Sequence, residues 1–195
     1  DLIVFDPVSG AERCRFNLPR QMEAGSSHLC ISDFLRPRGA DPIGDEQSFF
    51  PTAAWANGAR DVLGLSCVTM GQIASEHCQR LFKADNYQEY LYFYGLSVES
   101  AEGLAEYWHK RMRQQLDIAE QDALDIAKLF TQGYQGSRYS FGYPACPRLE
   151  DQRHLQDLLH WQDIGIDLSD EFQLHPEQST SAMILHHPEA RYFNL

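Results

Sequence analysis

The residues best suited to bind a ligand lie in the stretch 134–147. This stretch contains four aromatic residues, two glycines, two prolines and a single arginine, Arg138. Such a composition is incompatible with a helix or with the interior of a regular strand, so it predicts a loop of defined shape. The loop would expose backbone N–H and C=O groups to the edge of a purine, and Arg138 offers a planar guanidinium to a carboxylate. The alternative is that the aromatic side chains only anchor a long connection to the core.

A second group of polar residues is predicted on one long helix over residues 86–116. Apolar residues recur there at helical offsets, which predicts one buried stripe with a polar stripe directly beside it. The apolar stripe consists of Ala101, Leu104, Ala105, Trp108, Met112 and Leu116. The polar stripe consists of Glu102, Glu106, His109 and Arg113. Glu102 therefore lies at the border of the apolar stripe, where it faces either solvent or a groove.

Two other kinds of active site find less support. Cys146 would need a lowered pKa to act as a nucleophile, yet its nearest basic neighbour is Arg148, which favours a small buried core thiol instead. His186 and His187 lack the His-Glu-x-x-His or paired-cysteine spacing of a metal site. Neighbouring strand residues also point to opposite faces, so these two histidines can hardly bind one ion. The sequence therefore predicts neither a cysteine nucleophile nor a metal ligand set.

The remaining elements must position these residues. Residues 2–5 and 12–16 flank a cluster of turn formers and predict a β-hairpin. Further strands are predicted over residues 61–70, 181–187 and 191–195, helices over 73–83, 122–130 and 150–161, and loops over 39–57 and 131–147. Gly64 and Ser66 would let another element pack closely on their strand, and Gly95 is a candidate for a bend in the long helix. Strands in no regular alternation with helices indicate a single α+β domain.

Composition excludes several classes of function. With 43% hydrophobic and 23% charged residues among 195, the chain is an ordinary globular protein. Its 16 Lys and Arg against 28 Asp and Glu give a net charge of −12, which disfavours a nucleic-acid partner. No apolar run approaches the roughly 18 residues of a membrane span. Five cysteines without a Cys-x-x-Cys pair indicate reduced thiols in the cytoplasm, and Asp1 at the start suggests a processed chain or a piece of a longer one.

Four segments, in order, resemble one known family. Residues 138–147 read Arg-x-x-x-Gly-Tyr-Pro-Ala-Cys-Pro, which is similar to the signature of the S-adenosylmethionine-binding activation domain of cobalamin-dependent methionine synthase. Residues 30–37, 101–109 and 187–193 resemble that family's Cys-Leu-Ala-Asp-Phe-hydrophobic-x-Pro, Ala-Glu-Ala-Phe-Ala-Glu-Tyr-Leu-His and His-Pro-x-x-Lys-Tyr-Tyr segments. Four ordered matches are far more specific than one short motif. We therefore expect residues 1–195 to form one such domain, without the family's N-terminal segment.

The resemblance implies an α+β domain with a twisted, mainly antiparallel sheet and flanking helices, holding S-adenosylmethionine in a shallow groove. In this family the domain presents S-adenosylmethionine to cob(II)alamin, carried by another domain or chain, for reductive methylation with an electron from flavodoxin or a related flavoprotein. The restored cobalamin then serves methyl transfer to homocysteine, which yields methionine.

The resemblance also implies which residues contact the ligand. Glu102, Arg138 and Tyr192 match contacting positions, and Ser140 stands where the family contacts through its backbone. Arg138 would pair with the methionine carboxylate, and Glu102 would offset the sulfonium or bind the amino group. Tyr143 or Tyr192 would pack on the adenosine. A rival hypothesis is a binding module that docks a corrinoid protein or flavoprotein but no longer binds S-adenosylmethionine.

Overall fold

The computed structural model describes residues 2–5, 11–16, 63–143, 145–188 and 190. Leu2–Phe5 (β1) pairs antiparallel with Glu12–Phe16 (β2), which confirms the predicted hairpin. The strands that follow are Gly64–Thr69 (β3), Ser137–Tyr139 (β4), Asp167–Leu168 (β5), Leu174–His175 (β6) and Ser179–Leu185 (β7). The α-helices are Gly71–Lys83 (α1), Tyr87–Gln115 (α2), Ile126–Leu129 (α3) and Gln152–Leu159 (α4). These residues form a single α+β domain, as predicted.

Most of the predicted elements are present, and α1 and α2 begin and end within two residues of their predicted bounds. Gly95 does not interrupt α2, because the helical hydrogen bonding continues through it. The helix predicted over residues 122–130 is wrong apart from the short α3, which begins at an N-cap where Asp125 accepts a hydrogen bond from the Ala127 N–H. The predicted loop over residues 39–57 and the predicted strand over residues 191–195 lie outside the described residues.

The prediction of a continuous loop over residues 131–147 is wrong at β4. Its three residues pair antiparallel with β7, the central strand of a sheet ordered β3, β7, β4. A short edge strand needs only a free neighbouring backbone, so the surrounding glycines and prolines do not prevent it. The small antiparallel pair β5–β6 was also not predicted.

The two faces of this sheet have different roles. Residues paired across an antiparallel ladder point to the same face, so Arg138, opposite Ile184, shares its face with Ala182 and Ser66. Helix α2 packs against β3 and β7, and its Ala105 lines the same groove as Ser66 and Ala182. The opposite face carries the hydrophobic core, which includes Phe16, Tyr139, Leu155, Trp161, Met183 and Leu185.

The buried stripe of α2 differs from the predicted one. Its buried residues recur every four positions and are Ser97, Ala101, Ala105, His109 and Arg113. Trp108, predicted to be in the apolar stripe, is 46% exposed. His109 and Arg113, which were predicted in the polar stripe, are instead buried. They follow Ala105 at intervals of four, so they lie on the same buried side of α2. Among the described residues, no helix combines the length and apolar character that crossing a membrane requires.

Candidate functional site

A groove of about 650 Å³ lies between α2 and the strands β4 and β7. We call it the Arg138 groove. Its lining includes Ser66, Ala105 and Ala182 on the floor, with Glu102, Glu106, Arg138, Ser140 and Tyr143 among the polar and aromatic residues around them. The volume falls within the range of about 300–1,000 Å³ that is usual for small-molecule sites.

Arg138 reaches the groove because successive side chains of β4 point to opposite faces of the sheet. Its neighbours Ser137 and Tyr139 are buried, whereas the Arg138 side chain is 18% exposed. Its Nη1 lies 2.7 Å from Glu106 Oε1, and its Nη2 lies 3.8 Å from Glu102 Oε2. Within the described residues Nη1 makes no hydrogen bond of standard geometry, so its contact with Glu106 is an ion pair whose N–H groups are not fully used.

Glu102 and Glu106 lie one helical turn apart on α2. Each follows an alanine that is buried on the sheet, so a rotation of about 100° brings each carboxylate to the side of the groove. The Glu102 side chain is 52% exposed and that of Glu106 is 39% exposed. Glu102 and Arg138 line the same groove. Sequence reasoning assigned no role to Glu106, although its spacing of four from Glu102 already placed both on one face.

Ser140 and Tyr143 lie on the segment that follows β4. Gly142 adopts φ +87°, a conformation that favours glycine. Its N–H donates to the Cys146 carbonyl at 2.8 Å, and the Cys146 N–H donates to the Tyr143 carbonyl at 2.9 Å. This turn leaves the Tyr143 ring exposed at the rim. Of the five residues predicted to contact the ligand, the structure brings together Glu102, Arg138, Ser140 and Tyr143, while Tyr192 lies outside the described residues.

A second compartment of about 530 Å³ adjoins the Arg138 groove. Within the ranges that the structure describes, five residues line both compartments, and these are Glu102, Ser140, Tyr143, Thr180 and Ser181. The candidate site is therefore an open, elongated groove.

Beneath the groove lies a buried polar cluster. The Arg113 guanidinium donates to both carboxylate oxygens of Asp122, with Nε–Oδ1 at 3.0 Å and Nη2–Oδ2 at 2.8 Å. The same guanidinium lies 4.0 Å from the centroid of the Tyr134 ring. The Tyr134 hydroxyl in turn donates to Glu106 Oε1 at 3.0 Å. Burial raises the pKa of Tyr134 to about 12, with the Glu106 carboxylate as the next cause, so the hydroxyl remains a donor at neutral pH.

His109 completes this cluster. Its ring packs edge-on against Tyr134, with centroids 5.1 Å apart, and lies 5.7 Å from the His186 ring. Burial lowers the pKa of His109 to about 2, and the nearby Arg113 and Arg138 act in the same direction. His109 is therefore a neutral packing residue at physiological pH.

The other chemistries considered for this sequence find no support in the described residues. Cys146 is buried, and burial raises the pKa of its thiol to about 12, so it is a core thiol and not a nucleophile. Within the described part of the chain, no three His, Cys, Asp or Glu residues are grouped so that they would hold a metal ion. Of the residues that the structure describes, three charged ones line the Arg138 groove, and Glu102, Glu106 and Arg138 together contribute a formal charge of −1.

The family is decided by comparison with known sequences. A sequence model of the vitamin B12 dependent methionine synthase activation domain matches residues 1–195. The chain belongs to this family. The activation domain is 43% identical over 189 residues to methionine synthase of Mycobacterium tuberculosis (strain ATCC 25618 / H37Rv), covering 94% of this chain and 15% of that protein. It is 41% identical over 203 residues to methionine synthase of Mycobacterium leprae (strain TN), covering 100% of this chain and 16% of that protein.

The activation domain therefore spans 15% to 16% of the length of these curated relatives. A solved structure agrees with the family assignment. The crystal structure of the MetH reactivation domain bound to AdoHcy superposes with a TM-score of 0.67 at 25% identity. The match covers 77% of this chain and 48% of that chain. It confirms the predicted α+β fold.

Proposed function

We propose that this activation domain binds S-adenosylmethionine in the Arg138 groove and presents its methyl group to a cobalamin carried by another domain or chain. The observation that carries the proposal is that Glu102, Arg138, Ser140 and Tyr143 line one groove of about 650 Å³. Each offers a group that S-adenosylmethionine can use.

The charges of the groove complement those of the ligand. The methionine end of S-adenosylmethionine carries a carboxylate and an ammonium group, and its sulfonium adds a positive charge. Arg138 supplies a cation for the carboxylate, while the carboxylates of Glu102 and Glu106 give the groove a formal charge of −1. A net positive ligand is therefore favoured over a neutral or anionic one.

The aromatic residues of the groove suit the adenosine. The exposed Tyr143 ring stands at the rim, and Phe130, which is also exposed, lines the same groove. A nucleoside can stack on such a ring, and the backbone near Ser140 can bind the edge of the purine. In the proposal Tyr192 is the alternative to Tyr143 as the residue that packs on the adenosine.

Support also comes from the MetH reactivation domain, which was crystallised with AdoHcy. AdoHcy is what remains of S-adenosylmethionine after its methyl group has been transferred. In the proposed reaction one electron from flavodoxin or a related flavoprotein would reduce cob(II)alamin to cob(I)alamin. The cob(I)alamin would then take the methyl group from the sulfonium, which gives methylcobalamin and S-adenosylhomocysteine. The whole protein would then act as a cytoplasmic methionine synthase, which methylates homocysteine. The role of the present chain is to bind and orient the methyl donor.

Isothermal titration calorimetry with S-adenosylmethionine tests the proposal. We expect saturable binding of one ligand per chain, with a rise in melting temperature that grows with ligand concentration. A crystal structure of the complex should then show the ligand in the Arg138 groove. A folded chain without measurable binding would contradict the proposal and support the rival function, a docking module for a corrinoid protein or flavoprotein.

A further inference from the structure

We propose that Glu106 and Tyr134 are positioning residues that hold the Arg138 guanidinium in the orientation in which it receives the carboxylate of the ligand. This inference rests on the proposed function, because it concerns the same groove. It adds two residues to the site and gives Glu106 a role different from that of Glu102.

Glu106 contacts two neighbours, Arg138 and Tyr134. One oxygen, Glu106 Oε1, lies 2.7 Å from Arg138 Nη1 and accepts a hydrogen bond from the Tyr134 hydroxyl at 3.0 Å. The carboxylate is thereby held at a defined point on the groove wall. Since a short ion pair depends on the positions of both partners, a fixed carboxylate restricts where the guanidinium lies.

Tyr134 is itself anchored by its packing contacts. Its ring contacts the Arg113 guanidinium, 4.0 Å from the ring centroid, and the edge-on ring of His109. Arg113 is held in turn by hydrogen bonds to both carboxylate oxygens of Asp122, and the side chains of this pair are only 2% and 8% exposed. The Tyr134 hydroxyl therefore projects towards the groove from a packed, buried support.

Glu102 is held less firmly than Glu106. Its carboxylate is 3.8 Å from Arg138, it is more exposed than Glu106, and among the described residues it accepts no hydrogen bond comparable to that from Tyr134. Glu102 is thus free to bind the ammonium group of the ligand. Glu106 instead orients Arg138, whose Nη1 keeps N–H groups that are not aligned with any acceptor among the described residues. A cation oriented before binding loses less conformational entropy when the ligand arrives.

The test is Tyr134→Phe, which removes one hydroxyl and keeps the ring. Two neutral thioethers serve as probes. S-adenosylhomocysteine has the amino-acid end, and 5′-methylthioadenosine lacks it. We expect the dissociation constant of S-adenosylhomocysteine to rise about threefold to tenfold, the range for an ordinary hydrogen bond, because Tyr134 acts on Arg138 only through Glu106. The dissociation constant of 5′-methylthioadenosine should stay unchanged. Tyr107→Phe, at an exposed tyrosine of α2 outside the groove lining, is the matched control and should change neither dissociation constant.

Glu106→Gln provides a second variant with the same expected selectivity for S-adenosylhomocysteine. Tighter binding by this variant would overturn the proposal, because Glu106 would then compete with the ligand for Arg138. An equal loss for both probes would also overturn it, since that pattern indicates general damage to the groove.

A ligand-free measurement separates this inference from the proposed function. If wild-type protein binds neither probe, the proposed function fails, but the Arg138 Nε–H remains observable by ¹⁵N relaxation. We expect its order parameter to fall in Tyr134→Phe and to stay unchanged in Tyr107→Phe. An order parameter unaffected by Tyr134→Phe would refute the positioning role.

Discussion

Replacing Arg138 by alanine is the most direct test of the ligand site. The side chain is 18% exposed, so water screens its interaction with a bound carboxylate only weakly. A hydrogen bond to a charged group contributes about 1.5–3 kcal/mol, which corresponds to a rise in Kd of roughly tenfold to a hundredfold. Among the described lining residues Arg138 is the only cation, and its removal leaves Glu102 and Glu106 to repel the ligand carboxylate. We therefore expect an effect near the upper end of this range.

The assay is calorimetric titration of S-adenosylmethionine into wild type and Arg138→Ala at the same ionic strength. Arg148→Ala is the matched control, because Arg148 pairs with the exposed Glu150 and does not line the Arg138 groove. Circular dichroism establishes that both variants are folded. An unchanged Kd for folded Arg138→Ala would remove Arg138 from the site and refute the reasoning from its position.

Three further predictions concern stability and are measured by urea unfolding. Asp122→Asn should lower the free energy of unfolding by about 3–5 kcal/mol because it breaks a buried ion pair. Glu150→Gln, at an exposed ion pair, should leave the free energy of unfolding nearly unchanged, and equal losses in the two variants would contradict this. Gly136→Ala should cost at least about 2 kcal/mol, since Gly136 has φ +92° and a Cβ there would lie 2.5 Å from the Leu185 carbonyl oxygen; wild-type stability would contradict this. His109 has a pKa of about 2 in the fold against an ordinary 6.5, so only the unfolded chain gains its proton below pH 6.5. Its contribution to stability should therefore fall by about 1.4 kcal/mol between pH 7.5 and pH 5.5, and His109→Gln should lack this component.

Much of the candidate site could be predicted from local sequence. The spacing of apolar residues placed Glu102 on one side of a long helix, and the composition of residues 134–147 indicated a shaped segment around Arg138. Resemblance of motifs linked the two, and the structure places them in one groove. Glu106 was already on the correct face, but its ion pair with Arg138 joins residues 32 positions apart, and no local pattern encodes such a contact.

What the sequence determined by itself was the class of protein, the long helices and the hairpin. These follow from periodicity and turn residues, which act over a few positions. Only the tertiary structure decided that β4 is a strand and that His109 and Arg113 are buried. A three-residue strand exists because β7 offers it a free backbone, and a charged helix position is buried because Asp122 and Tyr134 supply its partners. In both cases the stabilising groups come from distant parts of the chain, and packing brings them together.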